Sequence, residues 1–191
     1  MPEQTVHTVY TIGHSTHTIA EFIAMLQPYG IQLLVDVRRF PMSRKFPQFN
    51  EQNLQKSLAG VDIQYIHLAD LGGRRKAEKN SPNTRWHNEA FRGYADYMET
   101  SAFKKSVNEL EHLALAKTTA YMCSEAVWWR CHRSLISDYL KAKGWRVMHI
   151  MSADKVQEHP YTAAARIKNN KVFYTEDTLF DNNSKTDESK I

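Results

Sequence analysis

Leu33-Leu34-Val35-Asp36-Val37 is an almost unbroken apolar run only five residues long, and it restricts the fold more than any other stretch of the chain. A strand with one wet face alternates apolar and polar side chains. A continuous run marks a strand covered on both faces, as inside a parallel sheet. Thr8 to Ile12 reads as a short β-branched strand, ended by Gly13-His14-Ser15. Further strands are expected at Ile63 to Leu68, Thr119 to Cys123 and Trp145 to Met151. Helical spacing fills the gaps. Ile19, Phe22, Ile23 and Leu26 share one face, with Thr16 or Thr18 as cap and Gly30 as stop. Helices are also expected from Asn50 to Leu58, from Phe91 to Leu115 with a break near Ser101, and from Ser134 to Lys143 before Gly144. Residues 71 to 88, rich in Gly, Pro, Asn and Arg, read as irregular. Strands alternating with helices predict an α/β fold, a Rossmann-like three-layer domain whose mainly parallel sheet has about five strands and right-handed crossovers. The 191 residues suit one such domain over 1–180, followed by a flexible polar tail over 181–191.

Several classes are disfavoured at once. Apolar runs are far too short to span a bilayer, and the N-terminus lacks the basic stretch and apolar core of a secretory signal. Two cysteines eight positions apart make a poor disulfide framework, so a cytoplasmic setting is expected. No signature of an oligomeric state is present.

In open parallel sheets, ligands bind beyond the carboxyl ends of the strands. The residues with chemical potential in this chain fall there: His14 and Ser15, then Asp36 and Arg38, then Gly72 and Gly73, then Cys123 and Glu125. The charge is distributed the same way. Residues 38 to 45 hold Arg38, Arg39, Arg44 and Lys45 without an acid, for +4. Residues 71 to 87 hold Arg74, Arg75, Lys76, Lys79 and Arg85 against Glu78, again +4. Residues 123 to 133 hold Arg130 and Arg133 against Glu125, for +1; the whole chain is +4, so the remainder must be −5. A basic edge draws anions. Phe40, Phe46, Trp86, Trp128 and Trp129 lie in the same segments, and aromatics among arginines suit a nucleotide or nucleic acid. The competing reading is that these loops are solvated and the tryptophans cover the core.

Residues 123 to 133 read Cys-Ser-Glu-Ala-Val-Trp-Trp-Arg-Cys-His-Arg. Together with Thr11-Ile12-Gly13-His14-Ser15, Asp36-Val37-Arg38, Pro41-Met42-Ser43 and Leu71-Gly72-Gly73, this segment resembles the "domain of unknown function 488" family, from about Tyr10 to His149. The Cys-x-Glu followed by Cys-His-Arg is the most distinctive part. The resemblance implies a compact α/β fold and a shared polar site, and brings no established reaction with it.

Three chemistries compete for this segment. In the first, Cys123 is a thiolate nucleophile beside a helix N-terminus, made more acidic by Arg133 or His132. That plan looks like the rhodanese and cysteine-phosphatase arrangement, although nine residues separate Cys123 from Arg133 where such loops hold about five. In the second, Cys123, Glu125, Cys131 and His132, with His14, bind a transition metal such as zinc or iron; adjacent Cys131 and His132 are awkward for one ion. In the third, the cysteines are buried fillers, and Glu125, Arg133 and Asp36 make an ion-paired floor. No other cofactor is indicated.

The expected function is binding of a phosphate-bearing ligand, with Arg38, Arg44, Lys45 and Arg133 on phosphates. Cys123 is the candidate nucleophile; Glu125, Asp36 and His14 are the candidate proton-transfer groups. Ser15, Ser43, Gly72, Gly73 and Trp128 are expected to complete the ligand contacts with Arg130, Cys131 and His132. Against this stand capping by Ser15 and a purely structural Asp36–Arg38 pair. The alternative function is a nucleic-acid-binding protein without catalysis, in which Cys123 has no role.

Overall fold

In the computed structural model, which describes residues 6–176, the apolar runs become the inner strands of one sheet. Strands β1 (Thr8–Gly13), β2 (Leu33–Asp36), β3 (Gln64–His67), β4 (Thr119–Cys123) and β5 (Arg146–Ile150) are all parallel. A sixth, antiparallel strand, β6 (Val156–Glu158), closes one edge, giving the order β3-β2-β4-β1-β5-β6. Every residue of β2 and β4 is buried, as the unbroken apolar pattern requires.

The helices are α1 (Ile19–Leu26), α2 (Glu51–Ala59), α3 (Glu89–Met98), α4 (Ser101–Ala116) and α5 (Arg133–Ala142). Alternating strand residues sort them into two layers. Ile12, Leu34 and Met122 pack with Phe22 and Leu26 of α1 and Leu54 and Leu58 of α2. Val9, Leu33, Val35 and Tyr121 face the other way, onto Phe103 and Leu110 of α4 and Leu135 and Leu140 of α5. Each of these leucines is at most 1% exposed, which contributes about 1.5–3 kcal/mol apiece. The caps are encoded locally. Thr18 and Glu21 form a capping box on α1, Asn88 caps α3, and Thr100 starts α4 and so makes the break expected near Ser101.

Residues 71–88 are irregular, as expected, and Asp96 of α3 pins them by accepting from Glu78 N, Ser81 Oγ and Asn83 Nδ2. The sequence gives no expectation of β6 or of the hairpin β7 (Arg166–Lys168) and β8 (Lys171–Phe173). Three-residue strands are too short to show a period. The hairpin turn, Asn169-Asn170, has φ of 51° and 59°, the doubly left-handed turn that asparagine tolerates. The expected polar tail at 181–191 lies outside the described residues. Among the described residues no helix is long and apolar enough to cross a membrane.

Candidate functional site

β1 and β4 are neighbours whose following helices, α1 and α5, lie on opposite faces of the sheet. A crevice opens between two such strands at their carboxyl ends. The two loops there are zipped together: His14 N donates to Cys123 O at 3.0 Å and Ser15 N to Ser124 O at 2.9 Å. Ser15 holds this path with φ of 47° rather than capping α1, which Thr18 does. Gly13 permits the approach. A Cβ there would lie 1.8 Å from the Glu125 carbonyl oxygen.

Asp36 and Arg38, two apart after β2, form a closed pair. Arg38 Nε and Nη2 both donate to the Asp36 carboxylate, Nη2 also donates to Phe49 O at 2.8 Å, and Tyr65 OH donates to Asp36 Oδ2 at 2.8 Å. Asp36 is fully buried, whereas the Glu125 carboxylate is exposed. His14 is sandwiched on this pair. Its ring stacks on Phe49 at 4.2 Å, its Nδ1–H donates to Ser15 O at 2.9 Å, and its Nε2 faces Arg38 Nη1 at 3.4 Å. Burial, then the Arg38 charge, lowers its pKa to about 4, so it is neutral at pH 7 with its lone pair turned to Arg38.

Cys123, at the end of β4, meets Cys131 and His132 at the head of α5. His132 Nε2–H donates to Val37 O at 3.1 Å, which leaves the Nδ1 lone pair facing both sulfurs, 4.0 Å from Cys123 Sγ and 3.7 Å from Cys131 Sγ. The lowered pKa expected of Cys123 is not found. A hydrogen bond with the Cys131 sulfur, then burial, pushes the Cys123 thiol up to about 12. For Cys131 burial works in the same upward direction, but the Cys123 thiol and the charge and backbone N–H of Arg133 outweigh it and bring it to about 6.

Arg133 has a different place from the one expected. It is 1% exposed and lies beneath the loop, donating to Thr11 Oγ1 at 2.8 Å and to the Glu125 and Ala126 carbonyls. Its Nη1 and Nη2 are taken up by protein oxygens, its buried Nε has no hydrogen-bond partner among the described residues, and it does not line the cleft, so it neither closes an anion cradle over Cys123 nor pairs with the Glu125 carboxylate. The rhodanese-like plan and the Glu125–Arg133–Asp36 floor both fail on this geometry. Arg133 instead heads a buried chain that the sequence gives no hint of. Thr11 OH faces His149 Nδ1 at 3.4 Å, His149 Nε2–H donates to His159 Nδ1 at 2.9 Å, and His159 Nε2–H donates to Asp138 at 3.0 Å. Every proton in this assignment points the same way, from Arg133 to Asp138. Trp128, expected on the ligand, is buried and stacks on His149 at 4.5 Å, with 3° between the planes.

Above these loops is a cleft of about 700 Å³. His14, Ser15, Arg38, Ser43 and Gly73 line it, as do Cys123, Glu125, Arg130, Cys131 and His132. Asp36, Arg44, Lys45, Gly72, Trp128 and Arg133 do not. Gly72 and Gly73 serve close packing of protein on protein: a Cβ would meet Arg39 Cα at 2.6 Å or His132 Nδ1 at 2.8 Å. The lining also brings in Arg39 and Arg74, which from the sequence are charge without an assigned role, and Phe40, Phe46 and Phe91. The basic excess is thinner here than the loop totals suggest. Arg75 lies over the Tyr97 ring at 3.5 Å and Arg85 is tied to Ala164 O.

The family model described as Domain of unknown function DUF488 matches residues 18–140 of the chain. No curated protein and no solved structure matches it.

Proposed function

The chain belongs to the DUF488 family, and on that footing we propose that it binds a phosphate-bearing ligand of nucleotide size in the cleft above β1 and β4. The observation that carries this reading is the charge on the cleft. Arg39, Arg74 and Arg130 are exposed, line it, and make no ion pair among the described residues. Glu125 is the single acid in the lining. Guanidinium groups without carboxylate partners suit phosphate oxygens, which they bind in a bidentate fork. Phe40, 65% exposed at the lip, offers a face to a base. The volume falls in the usual range for small ligands and suits one nucleotide better than a duplex.

Calorimetric titration of the full-length protein with a nucleoside monophosphate and with the parent nucleoside tests this. The monophosphate should bind at least about tenfold tighter, weaken as salt is raised, and lose at least about tenfold in the Arg39→Ala/Arg74→Ala/Arg130→Ala variant. No binding of any mononucleotide at low salt removes the reading. The exposure of Trp129 beside Arg130 favours a second reading, a single-stranded nucleic acid continuing out of the cleft. An oligonucleotide that binds more tightly than the mononucleotide, with a steeper salt dependence, would select it.

A further inference from the structure

We propose that Cys123, Cys131 and His132 hold one divalent transition-metal ion of the zinc type on the floor of the cleft, with a coordination position left open to it. The two sulfurs and His132 Nδ1 all lie within 4.8 Å of one another. Tetrahedral zinc, with Zn–S of about 2.3 Å and Zn–N of about 2.0–2.1 Å, sets sulfur and nitrogen about 3.5 Å apart. The observed sulfur-to-nitrogen separations of 4.0 Å and 3.7 Å need contractions of about 0.5 Å and about 0.2 Å.

The imidazole is aimed independently of the sulfurs. Its Nε2–H is fixed on Val37 O at 3.1 Å, the outer contact that orients a metal-binding histidine and leaves Nδ1 unprotonated. The ring is held from two sides, by the Gly73 backbone, where only glycine fits, and by the Tyr94 ring at 5.1 Å. The adjacency of Cys131 and His132, awkward on paper, is resolved by the turn between them. Cys131 is extended (φ −130°, ψ 148°) while His132 is helical (φ −57°, ψ −15°), so both donors reach the same point. Two thiolates and an imidazole select zinc or its soft congeners over magnesium or calcium. Because all three ligands line the cleft, the ion has protein on one side and the ligand space on the other. That is the arrangement of zinc sites that keep a position for water or substrate. The neighbouring carboxylate, Glu125, is outside the donor cluster.

The site shares its cleft with the phosphate reading but does not rest on it. The full-length protein, kept reduced and stripped with a chelator, is titrated with cobalt(II), whose thiolate complexes absorb by sulfur-to-metal charge transfer. The expected result is one equivalent bound, with charge-transfer and tetrahedral ligand-field bands, both lost when zinc is added. Cys123→Ser and His132→Gln should each weaken cobalt binding by more than about a hundredfold, beyond the loss usual for an outer-sphere change. Absence of the charge-transfer band in the reduced wild type overturns the proposal, as does wild-type cobalt affinity in either variant. The titration contains no nucleotide. A protein that binds cobalt as described but no mononucleotide would remove the phosphate reading alone.

Discussion

The Cβ that Gly13 lacks would lie 1.8 Å from the carbonyl oxygen of Glu125, the same oxygen to which Arg133 donates at 2.6 Å. Backbone contact between the β1 and β4 loops, clamped from below by a buried guanidinium, is thus what gives the cleft its floor. Gly13→Ala should push these loops apart and destabilise the fold by roughly 1–3 kcal/mol or more. The check is urea unfolding, where the midpoint should fall with the slope unchanged.

Asp138 gathers the far end of the chain that starts at Arg133. It accepts from His159, from Thr162 N and Oγ1, and from Tyr174 OH, all within 3.0 Å. Asp138→Asn keeps the shape but turns one acceptor into a donor facing donors, and should cost about 1–3 kcal/mol. Since none of these residues lines the cleft, nucleotide affinity of the folded fraction should be unchanged. Unfolding and calorimetry on one preparation separate the two effects.

His14 gives stability a pH dependence of definite sign. Its folded pKa is lowered, chiefly by burial, from 6.5 to about 4, so between those values the unfolded chain binds a proton that the folded chain refuses. Stability from this group is complete above pH 6.5, is lost as the pH falls to about 4, and amounts to something on the order of 3 kcal/mol. His149, lowered to about 2 by burial and then by His159, acts in the same direction over a wider window. Unfolding free energy measured from pH 8 to pH 4 should decline below pH 6.5, and His14→Gln should flatten part of the slope.

Phe40 separates a nucleotide from a bare phosphate. Truncating it to alanine should weaken a nucleoside monophosphate by about 1–3 kcal/mol through lost stacking and leave inorganic phosphate binding unchanged. Equal loss for both ligands would place the base elsewhere.

Much of this was legible in the residues, and the reasons are local. Leu33–Val37 dictates an inner strand by its unbroken apolar run, Thr18 and Glu21 spell a capping box, and the polar turns follow the strands that aim them. What the sequence hid depends on distant partners. The Asp36–Arg38 pair was open to reading from their shared strand face, but the Phe49 carbonyl and Tyr65 hydroxyl that close it were not. Arg133 looks like an anion ligand until Thr11, 122 positions away, is seen beneath it. The opposite shifts of the two thiols come from the contact between Cys123 and Cys131 and then, for Cys131, from the Arg133 charge, neither of which the spacing of the residues reveals. His149, His159 and Asp138 come together only once β5 and β6 pair and α5 packs over them.

The central claim is that the loops after β1 and β4, with the segments carrying Arg39 and Arg74, form one anion-binding cleft. Titrating inorganic phosphate into isotope-labelled protein and following the backbone amide resonances tests it most directly. The account predicts saturable shifts concentrated at Ser15, Arg39, Arg74, Ser124 and Arg130. Shifts spread evenly over the surface, or centred on the Asn169–Asn170 hairpin with those residues silent, would contradict it.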